Sequence, residues 1–350
     1  MTAWPAHAFP RAAAVAVATL LALAAWLALP PAGGQTPERA TGPVAGVPGR
    51  LVYAAYTADA RSVLRTYAIA TGVTTDLATF PGGVYAASPA ASRDGRRIAF
   101  SVYRPAPPPS LEPGGVDIDV MDAAGRGRRT ALAHDVPGSS LVDVTWTPDG
   151  RALVYARVSR DGKTQIERAS VDLPRPQVLV RDAVAPAVSA RGDLAYVRVD
   201  PATYAPSLWL ARADGTGARA LVQDPAFLGF GIPRFSPNAR RIAFPAVGGP
   251  PRDPQRRSRL PGGWRHALAG PQPAWAHGLP MDLWIVDVDG SGLRQLTMVG
   301  EDDATPAWSA DGRWIALIGA RGLYLLDPAR GVLRLLVEDG AGGGLDWLVR

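Results

Sequence analysis

At 350 residues and 47% hydrophobic content, the chain can bury one large core, and the absence of cysteine excludes disulfides, thiolate nucleophiles and zinc–thiolate sites. Its Trp, Tyr, Val and Ala fall in short runs between Gly, Pro and Asp turns, which is an all-β composition. The formal charge of +6 comes from 37 basic against 31 acidic residues, with Arg so far ahead of Lys that high-GC coding accounts for it and no nucleic-acid partner is expected.

Residues 12–29 follow Arg11 as an uncharged apolar run of 18 residues. As a helix it would measure roughly 27 Å, near the lower limit for spanning a bilayer and longer than an ordinary signal core. Export is therefore expected. Residues 1–34 fit either a signal peptide, with Ala32-Gly33-Gly34 as a small-residue cleavage site, or a retained N-terminal anchor that would associate the chain with a membrane. Residues 35–48 read as a flexible linker.

The structured region begins with Gly49–Tyr56, the second strand of a hairpin whose first strand is missing, followed by strands near 63–70 and 75–80. A hairpin grammar then recurs: Ala91-Ser-Arg-Asp-Gly95 leading into Ile98-Ala-Phe100, Trp146-Thr-Pro-Asp-Gly150 into Leu153-Val-Tyr155, and Val188-Ser-Ala-Arg-Gly192 into Leu194-Ala-Tyr196. Two more copies are Phe235-Ser-Pro-Asn-Ala239 into Ile242-Ala-Phe244 and Trp308-Ser-Ala-Asp-Gly312 into Ile315-Ala-Leu317. Gly supplies the positive φ that closes each turn except at Ala239, where Asn238 should turn left-handed or the turn should change type, making it the weakest of the set. The spacing, mostly between 42 and 55 residues, is that of a repeat fold. Residues 344–350 align with Pro306-Ala-Trp-Ser309 and should supply the missing first strand. Five complete hairpins and this shared unit predict six blades, closed by a C-terminal strand at 345–350 that removes the free edges.

The hairpins resemble the WD40-like Pro-Asp repeats of the TolB-type β-propeller family, an aromatic, Ser-Pro-Asp-Gly-Lys/Arg and a short apolar strand, matched best at Trp146–Tyr155. The resemblance covers residues 49–350 and implies an all-β, six-bladed propeller. Only a linker separates the export segment from Gly49, so the α/β domain that precedes the propeller in TolB is not expected, and TolB's partners are not carried over.

Two connections break the regularity, residues 104–115 and 245–280, both on the face that carries the interblade connections. The longer holds Arg252, Arg256, Arg257, Arg259, Trp264, Arg265 and Trp275 against a single acid, Asp253. It reads as a cationic flap for an acidic partner, a protein or an envelope polymer, or else as a tolerated insertion without a ligand. On the same side, Asp135, Asp182, Asp224, Asp302, Asp303 and Asp339 follow the last strands of the blades. Such acids at the channel mouth suit a divalent cation or a basic peptide end, and suit equally well the acceptance of backbone hydrogen bonds in turns. Arg50, Arg96, Arg151, Arg240 and Arg313 follow the hairpin turns on the opposite face and read as solvated turn residues. Trp146, Trp308 and Trp347 read as packing between blades. His134 is the lone histidine of the repeats, and neither a Gly-x-Ser-x-Gly elbow nor a phosphate-binding loop is present.

These readings favour a non-enzymatic, extracytoplasmic binding scaffold, monomeric and without a cofactor. One alternative is a hydrolase resembling propeller lactonases, with a channel-bound metal, for which Asp143 and Asp346 lie near the inner strands. Another is a membrane-anchored sensor ectodomain.

Overall fold

The structure is a computed structural model that describes residues 42–348 apart from 58, 111, 251–279, 303 and 339–342. The apolar run at 12–29, the flap residues Arg252, Arg256, Arg257, Arg259, Trp264, Arg265 and Trp275, and the acids Asp303 and Asp339 lie outside the described residues. Among the described residues no helix is long and apolar enough to cross a membrane.

Tight turns between short apolar runs leave each stretch of chain only its sequence neighbour to pair with, and the result is a series of antiparallel meanders. The first is β1 (Arg50–Tyr56), β2 (Ser62–Ala68) and β3 (Thr74–Thr79), and the second is β4 (Tyr85–Ala91), β5 (Arg97–Arg104), β6 (Gly115–Asp122) and β7 (Arg129–Leu132). There follow β8 (Ser140–Trp146), β9 (Ala152–Val158), β10 (Thr164–Ser170) and β11 (Gln177–Arg181), then β12 (Val184–Val188), β13 (Leu194–Val199), β14 (Pro206–Ala211) and β15 (Arg219–Val222). The next unit is β16 (Phe227–Phe230), β17 (Arg234–Phe235), β18 (Arg241–Gly248), β19 (Asp282–Asp287) and β20 (Arg294–Gln295). The last comprises β21 (Thr305–Trp308), β22 (Ile315–Gly319), β23 (Gly322–Asp327) and β24 (Val332–Val337), after which β25 (Leu345–Leu348) returns to the first. One parallel bridge, Val116 to Ser140, joins the second and third units into a single eight-stranded sheet.

β25 pairs antiparallel with β1, from Arg50 opposite Leu348 to Tyr53 opposite Leu345. The innermost strands neighbour one another in the order β25, β4, β8, β12, β17, β21 and back to β25. The buried apolar residues divide accordingly. Each core cluster is shared between consecutive units, and one of them joins Leu345 and Trp347 to Ala316, Leu323 and Leu325 of the last unit. Middle strands such as β5 are buried along most of their length because a sheet lies against each face, so the alternation of a one-sided strand is lost. Outer strands such as β3 are largely exposed. This is an all-β propeller.

Four of the five hairpin turns share one hydrogen-bond device, and the turn at Ser189, which bonds to Asp193, departs from it. Ser92 Oγ donates to Asp94 Oδ1 at 2.6 Å and accepts from the Arg97 N–H at 2.9 Å, while Asp94 accepts from the Arg96 N–H at 3.0 Å. Thr147 with Asp149 and Ser309 with Asp311 repeat it. The turn at Ala239 departs from expectation, since neither of the two anticipated adjustments occurs: Ala239 itself takes the left-handed conformation, at φ 56°. Ser236 and Asn238 make the same bonds as Ser92 and Asp94, and these hold the turn in a geometry its alanine disfavours. Replacing Ala239 by Gly is expected to stabilise the protein by about 1 kcal/mol in denaturant unfolding.

The β1–β25 pairing is packed by Trp347, which is 5% exposed and lies where a Cβ on Gly49 would strike the indole nitrogen. Trp347→Ala is expected to cost about 3–5 kcal/mol of unfolding free energy, a loss that urea titration would register.

Candidate functional site in the central channel

Where the inner strands meet, three of them carry irregularities just before the hairpin turn. The pairing of β4, β8 and β12 shifts between Ala87 and Ala90, Val142 and Thr145, and Val184 and Ala187. At the equivalent position inside each shift, Ser88, Asp143 and Ala185 have φ of 49°, 54° and 52°. Bulges of this kind turn a side chain out of its strand's plane. Two residues before the turn Ser or Thr, the strands carry Ala90, Thr145, Ala187, Arg234 and Ala307, and the register of β25 against β1 puts Asp346 at the matching place. Four of these six equivalent positions are small or uncharged, and two are charged.

Arg234, Asp346 and Asp143 belong to β17, β25 and β8, which are not neighbours in the ring but alternate around it. Asp346 and Asp143 nonetheless both act electrostatically on Arg234. Strands separated by an intervening strand on each side meet only across the centre, so these three charges face one another over the channel.

The neighbours fix the backbone of the trio. The Trp308 indole donates to the Arg234 carbonyl at 3.1 Å, as the Trp146 indole donates to the Ala90 carbonyl at 3.0 Å. These two tryptophans thus clasp β21 to β17 and β8 to β4, in agreement with a packing role. Asp346 accepts from the Ala91 N–H of β4 at 2.8 Å and from the Trp347 N–H at 2.8 Å.

The guanidinium is differently placed. Its hydrogen bond is the Nη1 donation to the Pro233 carbonyl at 3.2 Å, and among the described residues no carboxylate lies within ion-pairing distance. Burial pushes the Arg234 guanidinium below its ordinary value, with Asp346 and Asp143 opposing, and burial pushes the Asp346 carboxyl up, with Arg234 opposing. Arg234 retains some exposed surface even so, because that surface is channel wall. A desolvated guanidinium with spare donors is a ready partner for a carboxylate or a peptide carbonyl entering the channel. The flanking carboxylates suit a donor or a positive group beside it.

The acids expected at the channel mouth are not drawn together in this way. Asp135 is exposed and pairs with Arg157 of the next unit. Asp182 is exposed at φ 53°, Asp224 caps its own turn by accepting from the Ala226 N–H at 2.8 Å, and Asp302 is partly buried. Among the described residues no group of three or more His, Asp or Glu is arranged to hold a metal ion. The fourth strand of each unit is the outermost, so an acid just after it starts at the rim and finds local partners there. In the channel itself Arg234 already supplies the positive charge that Asp143 and Asp346 would otherwise draw from a cation.

Two polar networks away from the channel escaped sequence reasoning. Buried Asp117 and Asp119 are held by Arg104 at 2.6–2.8 Å, with Thr130 donating to Asp119 and His134 Nδ1 lying 2.6 Å from Asp117. Glu301, fully buried, accepts from the Tyr324 hydroxyl at 2.5 Å and from Arg321 Nε at 2.9 Å. Burial and then Glu301 push the Tyr324 hydroxyl upward. Both networks give buried carboxylates a cationic partner.

No family model matches the sequence, and comparison with curated proteins gives no match. Solved structures do match. The TolB of Acinetobacter baumannii aligns with a TM-score of 0.61 at 14% identity, over 87% of this chain and 68% of that one. A chain in a nidogen/laminin complex aligns with a TM-score of 0.60 at 12% identity, over 85% of this chain and 98% of that one. The chain thus has a TolB-like β-propeller fold.

The channel charges imply a pH signature. An acid whose folded pKa is raised favours folding while protonated, and that contribution is lost as pH rises from the usual 3.8 through the raised value. The stability of the wild type relative to Asp346→Asn is therefore expected to fall across that window in urea titrations. A rise across it would show that Asp346 is stabilised as an anion.

Proposed function

We propose that this chain is a non-enzymatic, extracytoplasmic binding scaffold: a six-bladed propeller, closed by β25 on β1, whose central channel receives an extended segment of a protein partner. The count of six rests on the inner-strand order and on the core clusters shared between consecutive units. Export rests on the apolar run at residues 12–29. The occurrence of this fold in a nidogen/laminin complex supports a protein as partner.

The observation that carries the reading is Arg234, a desolvated guanidinium between Asp346 and Asp143 with donors left over in the channel. Such a group discriminates strongly, since an acceptor that satisfies it is rewarded and a channel filled without one leaves it unmet. A partner segment with an acidic side chain or a free carboxylate is therefore expected. The metal-dependent alternative has less to build on, because a cation in the channel would have to displace or oppose Arg234.

Selection of displayed random peptides against the full chain tests this. Binders enriched in acidic residues are expected, and Arg234→Gln should weaken them about tenfold or more, the equivalent of one charged hydrogen bond. Binders indifferent to Arg234→Gln would place the partner site elsewhere.

A further inference from the structure

The described chain enters and leaves the propeller on one face. Arg50 opens β1 opposite both Ala68 and Leu348, so residues 42–49, the β2–β3 turn and the end of β25 lie on the side of the hairpin turns. The Val44 N–H donates to the Ile69 carbonyl at 2.8 Å, which holds the entering segment there. Twelve residues, 30–41, separate the apolar run at 12–29 from that segment, enough to span at most about 40 Å when extended.

The same face is rich in exposed arginine. Arg93, Arg96, Arg151, Arg191, Arg240 and Arg313 are exposed on the hairpin turns, and none of them forms an ion pair among the described residues. Pairs on this face are made by other arginines, such as Arg126 with Asp122 and Arg241 with Asp287. The turn carboxylates beside them, Asp94, Asp149 and Asp311, accept from Ser and Thr hydroxyls and also feel the charge of Arg96, Arg151 and Arg313, whereas Arg240 has the neutral Asn238 in the equivalent place. Two exposed large hydrophobic residues stand on turns of this face: Leu173, 75% exposed, between β10 and β11, and Val73, 57% exposed, between β2 and β3.

We propose that this hairpin-turn face docks on an anionic lipid bilayer, arginines to the headgroups and Leu173 and Val73 into the interface. Spread cationic turns with apolar tips match a flat negative surface that also accepts hydrocarbon. A nucleic acid or other polyanion would use the arginines but leave the apolar tips unexplained. The apolar run, if retained, inserts on this side without the linker having to round the disc. The opposite face then looks away from the membrane. This rests on the strand pairing and the surface charges, not on the channel reading, so either can fail alone.

The test uses the full chain in nanodiscs of phosphatidylcholine, or of phosphatidylcholine mixed with phosphatidylglycerol, and follows backbone hydrogen exchange. On the anionic discs the amides of residues 92–97, 147–151, 236–241 and 309–314 are expected to exchange about tenfold more slowly than on neutral ones, and those of residues 158–164 and 199–206 equally on both. Added salt should reverse the slowing in the unmodified protein. Arg96→Glu combined with Arg151→Glu, Arg240→Glu and Arg313→Glu should abolish it, and Leu173→Ser should reduce it. Equal exchange on both discs, slowing of the opposite face, or the same slowing by a DNA duplex without lipid would overturn the proposal.

Discussion

Much of the described fold depends on the antiparallel pairing of its first and last strands, β1 and β25. A meander of four strands has two faces to bury and two edges to hide, and neither need is met by the meander alone. Stacking the units around a ring covers the faces. Only the return of β25 to β1 covers the last face and gives β1 an inner partner. The core cluster that contains Tyr53, Trp347, Ala316 and Leu325 is the direct product of that return, since it draws on both ends of the sequence.

Closure also creates the channel chemistry. Arg234, Asp346 and Asp143 are far apart in sequence and sit on alternate inner strands, so they become a group only when the ring is shut. Asp346 itself lies on β25 and accepts from the Ala91 N–H of β4, so one residue both ties two inner strands together and acts on Arg234. The burial that raises its carboxyl and lowers the Arg234 guanidinium is the same burial, seen from two charges of opposite sign.

The repeats were plain in the sequence because their turns are fixed by local rules. Ser92 with Asp94 and Ser309 with Asp311 need only one another and a glycine. Ala239 misled because side-chain bonds from Ser236 and Asn238 outweigh the backbone preference of a single residue, a balance that composition does not display. Arg234 was visible as a departure from the small residues at its equivalents Ala90, Thr145, Ala187 and Ala307, but its meaning needed the ring order. The acids after the outer strands, Asp135 and Asp224 among them, were conspicuous as a pattern. Their partners were not, because Arg157 reaches Asp135 from the next unit and Asp224 folds back on its own turn.

A cysteine-free chain allows the closure to be measured without background. Arg50 and Leu348 face each other in the β1–β25 register, so Arg50→Cys with Leu348→Cys places two thiols within disulfide reach only if the ends are paired. The account predicts near-complete disulfide formation under mild oxidation, with a shifted mobility on non-reducing gels and a raised unfolding midpoint. Thiols that remain free in the folded protein would contradict it.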